Sequence, residues 1–344
     1  MDIRLGGKRP LGLKAGGTHM VKSKWGNKFE WPNGANIAVV FNVSWEIWPK
    51  KIGTAKNNQR HGEVVAPDAK YGRWMMPIYN HAYAETSGMQ RLLDVADRCG
   101  IKMSFYTDGL AGELYPEMMR RIANDQHEYL VQGWDHSFLW EQTIKEQTES
   151  IDATQKIIEK ITGQKIKGYS ASAGSITPET FDIVEERGFT YCCGFRNCDV
   201  PFIIPRKKHN LVGMNSYDLC DFNAYGHQEQ TIREIAQMWR DEFDVLYDEG
   251  KRGYPKMLAY GLHPFLSHGY RTKQFEELVE YSKSHDGVWI TTRDKIADWV
   301  HENFPKMDIS TFYPEAVASD RWYGLSMGVG GEEANREARS YRVE

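Results

Sequence analysis

The chain has 344 residues, 41% hydrophobic and 26% charged, an ordinary globular composition long enough for one large α/β domain or two smaller ones. Forty-three Lys and Arg against 47 Asp and Glu give a formal charge of -4 without a long like-charge run, which argues against a nucleic-acid partner. Cys99, Cys192, Cys193, Cys198 and Cys220 show no repeated metal-type spacing, and no apolar stretch reaches membrane-span length, so a disulfide framework, a zinc finger and a membrane span are all unexpected.

Met1 to Thr18 is rich in Gly and Lys and lacks the apolar core of a secretory signal, so a cytoplasmic protein is expected, with residues 1–24 as an arm. Asn36 to Trp45 reads as the first strand, its run of Ile37, Ala38, Val39, Val40, Phe41 and Val43 being of the kind buried parallel strands show. Lys50 to Tyr79 is too long for a simple connection and is expected to fold over a site. Helix and strand then alternate: Thr86 to Cys99 helix, Ile101 to Thr107 strand, Tyr115 to Asp125 helix, Glu128 to Val131 strand. Thr143 to Thr162 predicts a helix with Ile144, Ile151, Ile157, Ile158 and Ile161 on one stripe, stopped by Gly163. Lys167 to Ser172 and Phe189 to Cys193 predict strands around a Pro178 to Arg187 helix. After them come helices at Thr231 to Gly250, Thr272 to His285 and Arg293 to Phe304, and strands at Lys256 to Leu262 and Val288 to Thr291. The rhythm implies a parallel sheet, closed or open, with helices outside, over residues 25–304, and a C-terminal arm at 305–344.

In a parallel α/β barrel the chemistry sits just after the strands, which singles out Asn42, Ser44 and Glu46, then Gln132, Asp135 and His136, then Ser170 to Ser175, then His263. The spacing of two puts Asn42, Ser44 and Glu46 on one strand face, either a solvent-facing strand end or a functional one. Asp135 beside His136 suits an acid/base pair or a metal ligand with an orienting carboxylate, and His263 suits a general acid or a structural imidazole. Trp45, Trp48, Trp74 and Trp134 lie beside these points, as a pocket wall or as core.

These stretches, in their order and with their flanks, resemble the polysaccharide deacetylase family, in particular its subgroup of cyclic imidases, peptidoglycan deacetylase-like proteins and metal-independent allantoinases. The resemblance runs from Trp25 to Phe304 through KFEWPNGANIAVVFNVSWE, GIKMSFYTDGLAGELYPEMMRRIANDQHEYLVQGWDHS, ITPETFDIVEERGFTY, IREIAQMWRDEFDVLYDEG and LHPFLSHGYRTKQFEELVEYSKSHDGVWITTRDKIADW. It implies a distorted (β/α) barrel, often a tetramer, that hydrolyses a C–N bond in an amide, cyclic imide or ureide. In metal-dependent members the first motif carries a catalytic Asp and a metal-ligand Asp and the second supplies two His ligands, at positions that resemble Asn42, Ser44, Gln132 and His136, and only His136 retains the expected type. Neutral Asn, Ser and Gln are poor ligands, so the expectation is catalysis without the family metal. The alternative is a divalent ion held by His136 with Glu46 and another His such as His263 or His268.

Allantoinases of the subgroup lack the metal set and keep a Glu in the first motif, a part that falls here to Glu46. The resemblance thus implies Glu46 or Asp135 as general base and His263, in the family's closing motif, as general acid. Gln132 and Asn42 are expected to orient, and His136 to bind substrate or share the proton work. Tyr217 to Asp221 resembles a substrate-contacting loop in which Asp221 is a ligand contact or a turn residue. Tyr169 to Ser172 departs from the family's Arg or aromatic residues, which implies a changed pocket. Two rival classes are a lyase or isomerase using the same groups and an inactive binding protein.

Overall fold

The computed structural model describes residues 29–48, 81–215, 220–222, 224 and 230–307. The expected site-covering loop 50–79, Trp74, residues 217–219 and the expected arms, apart from 305–307, lie outside the described residues.

The sheet is built around β1 (Ile37–Trp45), nine residues that are all buried, as a strand covered on both faces must be. It pairs in parallel along one edge with β8 (Lys256–Leu262). On its other edge the first half pairs with β9 (Val288–Thr291) and the second half with β2 (Ser104–Asp108). From β2 the ladder continues in parallel through β3 (Glu128–Gly133), β4 (Gly168–Ser170), β5 (Tyr191–Phe195) and β7 (Leu211–Asn215), and β6 (Phe202–Ile204) joins β7 antiparallel. The ladder ends at β6 and β8, yet its two ends approach. Asn215 Nδ2 donates to Met257 O at 3.1 Å, Met257 N donates to Asp199 O at 2.7 Å, and Cys220 forms a parallel bridge to Gly261. The result is a curled, distorted α/β half-barrel, which is the fold the resemblance implied.

Helices α1 (Met89–Cys99), α2 (Gly109–Leu114), α3 (Pro116–Asn124), α4 (Ile144–Thr162), α5 (Pro178–Glu186), α6 (Ile232–Lys251), α7 (Gly269–Lys283) and α8 (Arg293–Asn303) connect the strands. Their starts are chemically marked. Thr143 and Glu146 form a reciprocal capping box on α4, Thr231 and Glu234 do so on α6, and α3 and α5 open on Pro116 and Pro178. The stripe of α4 is confirmed by Ile151 and Ile158, both fully buried, with Ile157 and Ile161 partly so; Ile144, at the first turn, is 56% exposed and does not belong to it. Strands β6 and β7 and helix α2 went unpredicted, because runs of three to six residues are too short to carry a readable period. The five cysteines are buried and free, and among the described residues no helix is long and apolar enough to cross a membrane.

Candidate active site

Alternation along β1 sorts its side chains between two environments. Phe41 packs edge-on against Phe275 of α7, and Trp45 donates its Nε1 to Glu85 Oε1 at 2.9 Å while its ring lies 6.3 Å from Tyr115. That face meets the helices, so Trp45 is part of the packed layer and not a pocket wall. Asn42, Ser44 and Glu46 occupy the opposite face, and the reading of that face as a solvent-facing strand end is overturned, since Asn42 and Ser44 have no exposed surface. Asn42 Nδ2 donates to Tyr260 O at 2.9 Å, and its Oδ1 accepts from the buried Arg293 guanidinium at 2.8 Å. Each polar atom of Asn42 is thereby used in bracing β1 against β8 and α8.

Glu46 follows β1 directly and meets two imidazoles that arrive from other strands. Its Oε1 lies 3.2 Å from His263 Nε2, just past β8, and 3.6 Å from His136 Nε2, three residues past β3. Its Oε2 accepts from Trp48 Nε1 at 3.0 Å. Behind His263 stands Asp221, which accepts from the ring Nδ1 at 2.6 Å and from the backbone N at 2.9 Å. The two bonds fix the ring's orientation and place its second proton on Nε2, toward Glu46.

Burial alone would raise the Glu46 carboxyl, but the attraction of the flanking His136 and His263 rings, with the hydrogen bonds from His263 and Trp48, outweighs it and holds the group well below the usual carboxylate range. Burial works against a charged His263, yet Glu46 and Asp221 on either side raise it well above the usual imidazole value. Burial keeps His136 below that value despite Glu46, so the cation beside Glu46 is His263. The site therefore contains a buried carboxylate, imidazolium, carboxylate line and a neutral imidazole at its flank.

Sequence reading missed two further members. His81, at the start of the segment leading into α1, packs between Trp48, at 3.8 Å between ring centroids, and Phe265, at 4.3 Å. Its Nε2 is buried with no hydrogen-bond partner, and burial pushes its pKa down to about 4. Asp108 ends β2 beyond a register shift; its Oδ2 accepts from Ile47 N at 2.9 Å and stands 3.9 Å from His136 Nδ1. Burial, with Glu46 and Asp135 nearby, raises it well above the usual carboxylate range, and its Oδ1 is buried without a hydrogen-bond partner. A signal for Asp108 existed, since it sits in the resembling stretch FYTDGL; an isolated His81 after a long loop carried none.

The other expected residues divide. Gln132 is buried with an unpartnered Oε1, and Ser172 in the segment Ser170 to Ser175 has a buried unpartnered hydroxyl. Asp135 is half-buried and accepts from Ser137 Oγ. Trp134 lies beside Gly109 and Thr154 of α4, with its backbone N donating to Ser150 Oγ, so its ring belongs to the helix side. The aromatic wall near Glu46 is made instead by Trp48, Phe222 and Phe265.

The positions that would hold the family's divalent ion do not fit one. Ser44 and Gln132, at two of the ligand positions, are neutral and one imidazole, His136, is left, while Asn42, at the position of the catalytic Asp, accepts from a guanidinium through Oδ1. Among the described residues, the ligand-type atoms that gather within 4.8 Å of one another are those of Cys220, Asp221 and His263, not those of Glu46, His136 and His263. Asp221 in that group is bonded to His263 on both of its oxygens.

Residues 77–192 match the family model described as polysaccharide deacetylase. The chain is 21% identical over 257 residues to the peptidoglycan deacetylase of Helicobacter pylori, covering 64% of this chain and 86% of that one. A Schizosaccharomyces pombe relative is 48% identical over 59 residues, a segment spanning only 18% of its length. Among solved structures, the Puue allantoinase superposes with a TM-score of 0.72 at 24% identity, over 80% of this chain and 93% of that one. A protein described as a probable polysaccharide deacetylase from Pseudomonas aeruginosa PAO1 superposes with a TM-score of 0.70 at 26% identity, over 80% and 94%. Residues 77–192 thus carry a polysaccharide deacetylase match, and the curled half-barrel around them has the fold of these solved structures.

Proposed function

We propose that the protein hydrolyses a C–N bond in a small cyclic imide, ureide or amide, using Glu46 and His263 in place of the family metal. The observation that carries this reading is the line Glu46, His263, Asp221, with Glu46 Oε1 3.2 Å from His263 Nε2 and Asp221 Oδ1 2.6 Å from Nδ1 of the same ring. Glu46 accepts a proton from water as it attacks the carbonyl carbon, and His263 Nε2 gives its proton to the leaving nitrogen. The proton on Glu46 then returns to His263, so each turnover consumes one water and leaves both groups as they began. We assign the developing oxyanion to Asp108 and His81, each of which has a buried polar atom, Oδ1 and Nε2, without a hydrogen-bond partner. Gln132 Oε1, a buried acceptor without a donor, suits the ring N–H of an imide or ureide. The aromatic lining of Trp48, Phe222 and Phe265, set edge to face, favours a small apolar-faced ring over a sugar.

The test is turnover on a panel of cyclic imides, ureides and N-acetyl sugars before and after chelation, with the product analysed for the gain of one water. Chelator-resistant ring opening, lost by at least about 100-fold in both Glu46→Gln and His263→Ala, is expected. Full activity of both variants, or chelator-sensitive turnover with stoichiometric metal, overturns the reading.

A further inference from the structure

Because β9 and β2 lie end to end along the same edge of β1, the sheet has a break in its wall at the end of the barrel away from Glu46. Beyond β9 no strand continues the ladder among the described residues, and β3 begins only at Glu128, in register with Ser104. A cleft of about 940 Å³ opens there, bounded by β9 and by the segments that lead into β2, β3 and β4. Its volume falls within the range of small-ligand sites.

Charge in this cleft is one-sided. Five lysines line it, Lys102, Lys165, Lys167, Lys283 and Lys295, against two acids, Glu128 and Asp294. Asp294 is 3.7 Å from Lys295, and Glu128 is turned inward onto Ser104 Oγ, Tyr191 and Arg293 N. Burial raises Glu128 to about 8, so it adds little negative charge at neutral pH. Lys167 is matched by Asp298 and Lys283 by Glu280, whereas Lys102 Nζ donates to the backbone carbonyl of Asp125, and Lys165 has no ion-pair partner among the described residues. A second observation is independent of the lysines. His127 lines the same cleft and is 1% exposed; its Nδ1 accepts from Met103 N at 3.0 Å, so its proton is on Nε2, and that N–H has no acceptor. A buried donor without an acceptor, in a wall rimmed by ammonium groups, is the complement of an anionic oxygen.

From this cleft we infer a second binding site, for a small multivalent oxyanion such as a condensed phosphate, held by the lysines with His127 Nε2–H as an additional donor. It lies outside the Glu46 site and stands whether or not the proposed hydrolysis does. The probe is sodium tripolyphosphate, titrated calorimetrically into the full-length protein at low salt, with wild type compared with the double variant Lys165→Glu, Lys295→Glu. Both side chains are exposed, and unchanged melting temperature verifies the fold. One equivalent of binding is expected, weakened at least tenfold in the variant, with protection from hydrogen exchange confined to the cleft-lining segments Ile101 to Ser104, Gln126 to Glu128, Gln164 to Lys167 and Val288–Thr291. Absence of binding, affinity equal in the two proteins, or protection elsewhere overturns it.

Discussion

At the scale of single residues, the decisive arrangement is His263 between two carboxylates. Asp221 and Glu46 hold its proton far above the usual imidazole range, whereas Glu46 itself is ionised well below the usual carboxylate range. Under the proposed mechanism, activity should therefore be level through neutral pH, with a fall only on the alkaline side, where His263 loses its proton. Asp221→Asn removes one of the two negative charges and should move that alkaline limb to lower pH while lowering kcat more than it changes KM; an unmoved limb would show that Asp221 does not tune His263. His81→Phe keeps the packing against Trp48 and Phe265 but deletes a donor, and a loss of about 10- to 100-fold in kcat is the expected reading of an oxyanion contact. Glu46, Gln132, His136 and His263 were legible because each lies at the end of a strand or just past it, within a resembling stretch. The roles of Asn42 and Trp45 were not, since only the structure shows that Arg293 and Glu85 have claimed them.

Elements place these residues through their ends. The helix starts were readable because Thr143 with Glu146, and Thr231 with Glu234, satisfy the first free N–H groups of α4 and α6. Thr143→Ala should cost about 1 kcal/mol in urea unfolding without altering catalysis, since its side chain bonds only within the cap of α4. The entry to α1 behaves differently. It begins with a π-helical turn, Ala84–Gly88, and a Cβ on Gly88 would come within 1.7 Å of Pro264 O, the residue after His263. Gly88→Ala should therefore cost about 1–3 kcal/mol and also depress kcat, because backbone, not a flexible side chain, must give way next to the general acid. A destabilised variant with unaltered kcat would show that the loop after β8 does not position His263.

On the scale of the whole molecule, the interior of the half-barrel carries a polar layer beneath the site. Glu128 lies there with Ser104, Tyr191 and the backbone of Arg293, raised from the usual 4.5 to about 8 by burial and the neighbouring Asp294. A carboxyl raised on folding contributes stability that is full below about 4.5 and is lost as pH rises toward and through about 8. Unfolding free energy should therefore decline across that window, and Glu128→Gln, which keeps the shape without the ionisation, should flatten the decline. Parallel curves for the two proteins in urea titrations at several pH values would refute the assignment.

By itself the sequence determined the alternation of strand and helix, the buried central strand and the ordering of polar groups at strand ends, because periodicity, caps and local apolar runs are properties of neighbouring residues. It also carried the family resemblance. Which groups meet was decided only in three dimensions. Glu46, His136, Asp221 and His263 come from four separate parts of the chain, and His81 and Asp108 join them through packing that no local pattern encodes. The same holds for the break between β9 and β2: it follows from how β1 divides one edge between two partners, a choice made by the register of distant strands.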